Sequence, residues 1–144
     1  MADIFDTATR SRIMRAIKSR NTGPELALLA ALRRAKLRGL SRRGRGLPGT
    51  PDFVVRRVRL AVFMHGCFWH LCLHHYKAPA AAAFRAKMDA NRRRDIRVRR
   101  QLRARGWSTM VVWEHERPER GAARVLARIV RLEWRQEQQH AVDL

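Results

Sequence analysis

Apolar positions recur along the chain in two periods, and the change from one to the other marks the elements. Ile13, Met14 and Ile17 share one side of a basic segment over Thr9 to Arg20, which predicts a short N-terminal helix. Asn21 to Gly23 interrupts it, and Pro24 suits the first turn of a second helix running to about Leu37. Leu26, Leu29, Ala30, Leu32 and Leu37 are its apolar stripe. Ser41 to Gly49 is rich in Gly and Arg and reads as a loop. Asp52 to Val55 and Leu60 to Met64 are β-rich runs separated by Arg56 to Arg59, the pattern of a hairpin. His65 to Pro79 has neither period and reads as a compact loop dense in Cys, His and aromatics. A long helix follows over Ala80 to Arg105, stopped by Gly106, with a strand at Trp107 to Trp113 and an amphipathic helix at Arg120 to Arg135. Residues 136–144 are polar and are expected to form a disordered tail.

Helix, hairpin, helix, strand, helix is an α/β order that calls for a central mixed sheet flanked by helices. At 144 residues, one domain spanning 1–144 is the default, and 46% hydrophobic residues are enough for one core.

Charge changes the picture most. Lys and Arg total 32 against 12 Asp and Glu, a net charge of +20. At this size such an excess repels itself unless a polyanion neutralises it, and nucleic acid is the obvious one. An anionic membrane fits less well, because no basic segment carries a long apolar face. No apolar run is long enough to span a bilayer, and the opening residues lack the basic-then-apolar order of a signal peptide, so a cytoplasmic protein is expected. In that reducing compartment, Cys67 and Cys72 beside several histidines favour metal ligation over a disulfide.

The chemistry gathers at the ends of the hairpin. In Leu-Pro-Gly-Thr-Pro-Asp, residues 47 to 52, Pro51 stiffens the entry and Asp52 opens a buried strand. An acid there caps a turn, or it is paired or bound to a cation. If the strands pair around Arg56 to Arg59, Asp52 meets the Met64–His65 segment, and a carboxylate beside a main-chain carbonyl is a hard oxygen site suited to Mg²⁺. His65 and His70 flank that site, where each could move protons or hold a phosphate. Taken singly, either histidine also reads as structural.

The hexapeptide His65-Gly66-Cys67-Phe68-Trp69-His70 carries a resemblance. With Pro48 to Asp52 upstream and Gly106, Trp107, Val112, Trp113 and Glu114 downstream, it resembles the very-short-patch repair (Vsr) endonucleases. Ala8 to Ser11 and Met14 to Ile17 match the family's opening segment, and the likeness covers residues 3 to 117. It implies a restriction-endonuclease-like core with a Mg²⁺-dependent phosphodiesterase site that nicks on the 5′ side of the thymine in a T:G mismatch. Asp52 and the Met64 carbonyl would be metal ligands, and His65 and His70 would assist water activation and the leaving group. Asp95 would support the active-site histidine. Glu25 matches an acid of the second helix, although Thr22-Gly-Pro-Glu25 also reads as a capping box.

The resemblance implies a second, structural metal as well. Cys67, Cys72, His75 and His115 could complete a tetrahedral Zn²⁺ site, with Cys72-x-x-His75 preferred over His74 for its spacing. The zinc-stabilised loop would anchor the catalytic turn. Phe68 and Trp69 would wedge into the duplex from one groove, and Met14 and Ile17 of a DNA-contacting helix within residues 1–20 from the other. Phe84, where the family has Trp, with Lys87 and Asn91, would meet the mismatched pair. Expected partners are double-stranded DNA with a T:G mismatch and MutL-type repair proteins, with the chain a monomer. A non-catalytic mismatch-binding module and a nuclease of the same fold with another DNA specificity are the alternatives.

Overall fold

The computed structural model describes residues 6, 8–9, 22–67, 70–72 and 82–144. Among them are three helices, α1 (Gly23–Arg34), α2 (Ala82–Ala104) and α3 (Pro118–Val142), and four strands, β1 (Leu40–Arg42), β2 (Phe53–Val55), β3 (Leu60–His65) and β4 (Ser108–Trp113). The sheet order is β1-β2-β3-β4. β1 to β3 pair antiparallel, and β3 pairs with β4 in parallel through the α2 crossover. The mixed α/β class read from the sequence is therefore present.

Thr22 opens α1, its hydroxyl accepting the Glu25 N–H at 3.4 Å, with Pro24 in the first turn. The helix stops at Arg34, short of Leu37, because Lys36 turns left-handed (φ 56°) and the Leu37 N–H folds back onto the Leu32 carbonyl. Residues 56 to 58 form one 3-10 turn, and Arg59 turns left-handed (φ 48°) to return the chain into β3. Gly106 (φ 78°) ends the α2 segment as the sequence reading expected.

Two expectations are corrected. The loop assigned to Ser41 to Gly49 begins as β1, since Ser41 and Arg42 pair with Val54 and Phe53. The tail expected over residues 136–144 is helical through Val142, because Gln, Glu and Ala favour helix and no Gly or Pro intervenes.

Side chains of β3 alternate between the faces of the sheet. Leu60 and Val62 join Phe53, Val55, Met110 and Val112 beneath α1 (Leu28, Leu32) and α3 (Val125, Ile129), with Met64 packed against the edge of that cluster. Ala61 and Phe63 face α2 through Val98 and Leu102. The layers are thus α1 and α3 on one side and α2 on the other. Parity places Met64 on the α1 side and His65, two residues after Phe63, on the α2 side.

Candidate active site

Asp52 lies just before β2, preceded by fully buried Pro51. Because Phe53 pairs with Val62, the end of β3 extends past β2 and the Met64 N–H donates to Asp52 Oδ2 at 2.7 Å. The predicted meeting of Asp52 with the Met64–His65 segment is present. Burial pushes the Asp52 carboxyl from 3.8 to about 6; the Met64 N–H opposes the rise, and the charge of Glu25 adds to it.

Glu25 is only 3% exposed. Its backbone N–H takes the cap from Thr22, while its side chain turns inward, Oε1 lying 3.6 Å from Arg42 Nη2. Only half of the expected capping box forms: the Thr22 hydroxyl caps the Glu25 N–H, while the Glu25 carboxylate turns to Arg42 and not back to the Thr22 N–H.

On the opposite face, His65 closes β3 and is 6% exposed. Its carbonyl accepts the Glu114 N–H at 2.9 Å, which joins the ends of β3 and β4. Its ring stacks on His70 with centroids 3.9 Å apart and planes 11° apart, and Trp113 meets it edge-on at 5.2 Å. Burial, then the charge of His70, lower its pKa to about 4, so the ring is neutral at physiological pH.

His70 Nδ1 lies 2.6 Å from Asp95 Oδ2 on α2. Burial alone would raise the Asp95 pKa, but the His70 hydrogen bond and the charges of His70, His65 and Arg99 outweigh it and hold the carboxyl below its usual range. An ionised carboxylate can only accept, so His70 Nδ1 carries the shared proton. His65, His70 and Asp95 offer ligand atoms within 4.8 Å of one another. The direct 2.6 Å bond between two of those atoms marks an oriented His–Asp pair, because a metal would have to separate them.

Behind the turn, Cys67 Sγ lies 3.1 Å and Cys72 Sγ 3.6 Å from His115 Nδ1. The three offer ligand atoms within 4.8 Å of one another. Both cysteines are buried and unbridged, and burial together with Cys72 pushes the Cys67 thiol up to about 11. The turn is closed by Cys67 N–H to Glu114 Oε1 (2.9 Å), His70 N–H to the Gly66 carbonyl (3.1 Å) and Cys72 N–H to the Cys67 carbonyl (3.1 Å). Of the other expected site residues, Met14, Ile17, Phe68, Trp69, His74 and His75 lie outside the described residues. Phe84 and Asn91 are half-buried on α2, and Lys87 is exposed there. Asn91 sits one turn before Asp95, so the two share a face.

Sequence reasoning missed two residues. Arg42 was hidden in a stretch read as loop, and its pairing with Glu25 had no local signal. Glu114 was visible beside Trp113, but its hydrogen bond to Cys67 depends on the β3–β4 register.

A family model described as DNA mismatch endonuclease Vsr matches residues 2–78. The chain is 43% identical over 122 residues to the DNA mismatch endonuclease Vsr of Escherichia coli (strain K12), covering 79% of this chain and 74% of that protein. It is 37% identical over 125 residues to the type II nicking enzyme V.XorIIP of Xanthomonas oryzae pv. oryzae (strain KACC10331 / KXO85), covering 85% and 91%. It is also 37% identical over 132 residues to the type II nicking enzyme V.NaeI of Lentzea aerocolonigenes, covering 88% and 80%. With Asp52, the histidine pair and the thiol cluster gathered at the ends of β3 and β4, the chain belongs to the Vsr family of DNA mismatch endonucleases.

Proposed function

We propose that this protein nicks double-stranded DNA on the 5′ side of the thymine in a T:G mismatch, by Mg²⁺-dependent phosphodiester hydrolysis that opens very short patch repair. The observation that carries the reading is the division of labour at the end of β3. Buried Asp52, on which the charge of Glu25 acts, meets Met64, and the stacked His65–His70 pair with Asp95 lies at the next residue.

The acid side fits a hard divalent cation. Asp52 and Glu25 offer carboxylate oxygens, and burial, which raises the Asp52 pKa, makes its charged form one that a bound cation would stabilise. The N–H and C=O of one strand residue point to the same edge, so the Met64 carbonyl faces the edge where its N–H meets Asp52. Asp52 and the Met64 carbonyl would hold Mg²⁺, with Glu25 beside them. When bound, the ion supplies positive charge against the scissile phosphate. His70, oriented by Asp95, presents Nε2 to take or return a proton, and neutral His65 holds the ring of His70 in place.

Soft donors make the thiol cluster the complementary case. Cys67, Cys72 and His115 suit Zn²⁺, with His75 or its neighbour His74 as the fourth ligand, in a closed structural site that anchors the turn bearing His70. Phe68 and Trp69, with Met14 and Ile17, are the proposed wedges, and Phe84, Lys87 and Asn91 the proposed contacts to the mismatched pair. The excess of 20 positive charges supplies phosphate attraction around them. The core is read as restriction-endonuclease-like within a single domain acting as a monomer in the cytoplasm, with MutL-type proteins as partners. Among the described residues no helix is long and apolar enough to cross a membrane.

The test is nicking with Mg²⁺ of two duplexes that differ only in T:G against C:G. Nicking of the T:G duplex alone, lost on withdrawal of divalent metal, is expected. Binding without nicking would leave a mismatch-binding module, and equal nicking of both duplexes would remove the mismatch specificity.

A further inference from the structure

Arg42 stands at the acid side of the site, where nothing in the sequence pointed. Its backbone is fixed to the strand that carries the acid, since Arg42 pairs with Phe53 and the next residue, Arg43, donates its N–H to the Asp52 carbonyl at 2.8 Å. Its guanidinium reaches across to α1, with Nη2 3.6 Å from Glu25 Oε1. The Glu25 side chain is 5% exposed and that of Arg42 35%, so the cation sits at the rim and the anion inside. A carboxylate this buried is costly unless compensated, and Arg42, paired with the residue after Asp52, brings its guanidinium and Glu25 together at that end of the strand. Without the guanidinium, two neighbouring carboxylates would repel each other and attract any divalent cation more strongly.

We infer that Arg42 is a positioning residue for nicking: it holds the Glu25 carboxylate in place beside Asp52, and its fixed positive charge moderates the pull of that acid pair on a divalent cation. The inference rests on the reading of Asp52 and Glu25 as the acids of the metal centre. The guanidinium acts through Glu25. A Lys at the same place keeps the positive charge and a donor for the 3.6 Å contact with Glu25 Oε1.

The experiment is single-turnover nicking of a T:G duplex across a Mg²⁺ titration. Arg42→Lys, Arg42→Gln, Glu25→Gln, the double variant Glu25→Gln/Arg42→Gln and Asp52→Asn are compared with the unmodified chain. Mg²⁺ binding is read independently, from the metal-dependent melting shift of DNA-free protein. For Arg42→Gln, the nicking rate at saturating Mg²⁺ is expected to fall at least about tenfold while half-saturation moves to about tenfold lower Mg²⁺. Arg42→Lys should recover both to within about threefold. Glu25→Gln and the double variant should nick at the same rate within about threefold, because the role of Arg42 passes through Glu25.

A purely structural counter-ion would leave rate per folded molecule and Mg²⁺ half-saturation unchanged in Arg42→Gln, which would overturn the inference. So would a rise in half-saturation, or a further tenfold loss in the double variant. If Arg42→Gln fails to fold, the Lys variant and the charge-free double variant still decide the matter. A fully active Asp52→Asn would instead remove the metal-centre reading itself, a failure distinguishable from that of Arg42.

Discussion

Replacing Asp52 by Asn should make the protein more stable and inactive at once. Burial, aided by the Glu25 charge, raises the Asp52 carboxyl from 3.8 to about 6. A folded-state value above the unfolded one means a contribution fully present below pH 3.8 and lost as the pH rises through 6. At pH 7.5 the ionised group therefore costs the fold about two pH units at about 1.4 kcal/mol each, or about 3 kcal/mol. Asn removes that cost and keeps an oxygen for the Met64 N–H, though a neutral acceptor in place of a charged one gives back about 1 kcal/mol. The net gain of about 2 kcal/mol corresponds to a melting temperature about 6 °C higher for a chain of this size. Melting curves of both proteins without added divalent metal, from pH 4 to 7.5, measure it. The gap should be widest at pH 7.5 and narrow as the pH falls from 6 to 4, while the variant nicks at no measurable rate. A variant less stable at pH 7.5, or a gap that ignores pH, would refute a carboxylate strained for function and make Asp52 an ordinary structural acid.

Three further outcomes follow from the geometry. Asp95→Asn should slow nicking about a hundredfold with mismatch-duplex affinity within about threefold, because it removes the anion that orients His70; affinity lost in step with rate would contradict that role. Gly49→Ala should destabilise by about 2 kcal/mol, since a Cβ there would lie 2.5 Å from Val98 Cγ1 at φ 72°, and an unchanged melting curve would be inconsistent with that contact. Elemental analysis should find one zinc per chain, lost in Cys72→Ser with a melting temperature at least about 5 °C lower; zinc retained in that variant, or missing from the unmodified chain, counts against the thiol cluster.

The parts of this fold legible in sequence are those where one residue's environment is set by its near neighbours. Leu29 and Leu32 of the predicted stripe are buried on α1, although Leu26 and Ala30 are exposed and Leu28 is buried in their stead. Arg56, Arg57 and Arg59 between Val55 and Leu60 mark the turn of the hairpin. From the hairpin alone, Asp52 could be placed beside Met64. β1 was invisible for the opposite reason. It has three residues with one apolar side chain, and it is a strand only because Val54 and Phe53 offer free backbone groups across from it. Glu25 shows the same boundary within one residue. Its N–H follows the local capping rule, whereas the direction of its carboxylate is decided by Arg42 and Asp52, which come from other elements. Glu114 likewise acquires its hold on Cys67 only once β3 and β4 are in register.

The pleat of β3 has a consequence for how such an enzyme can change. Met64 and His65 are consecutive, so their α-carbons are about 3.8 Å apart whatever the helices do. The spacing between the acid side and the histidine side is a bond-length constant. Drift in α1 or Arg42 can retune one half, and drift in α2 the other, while the distance between them holds. The same arrangement makes single-residue insertions in β3 far more damaging than substitutions around it, because one added residue exchanges the faces and sends each half of the chemistry to the wrong helix.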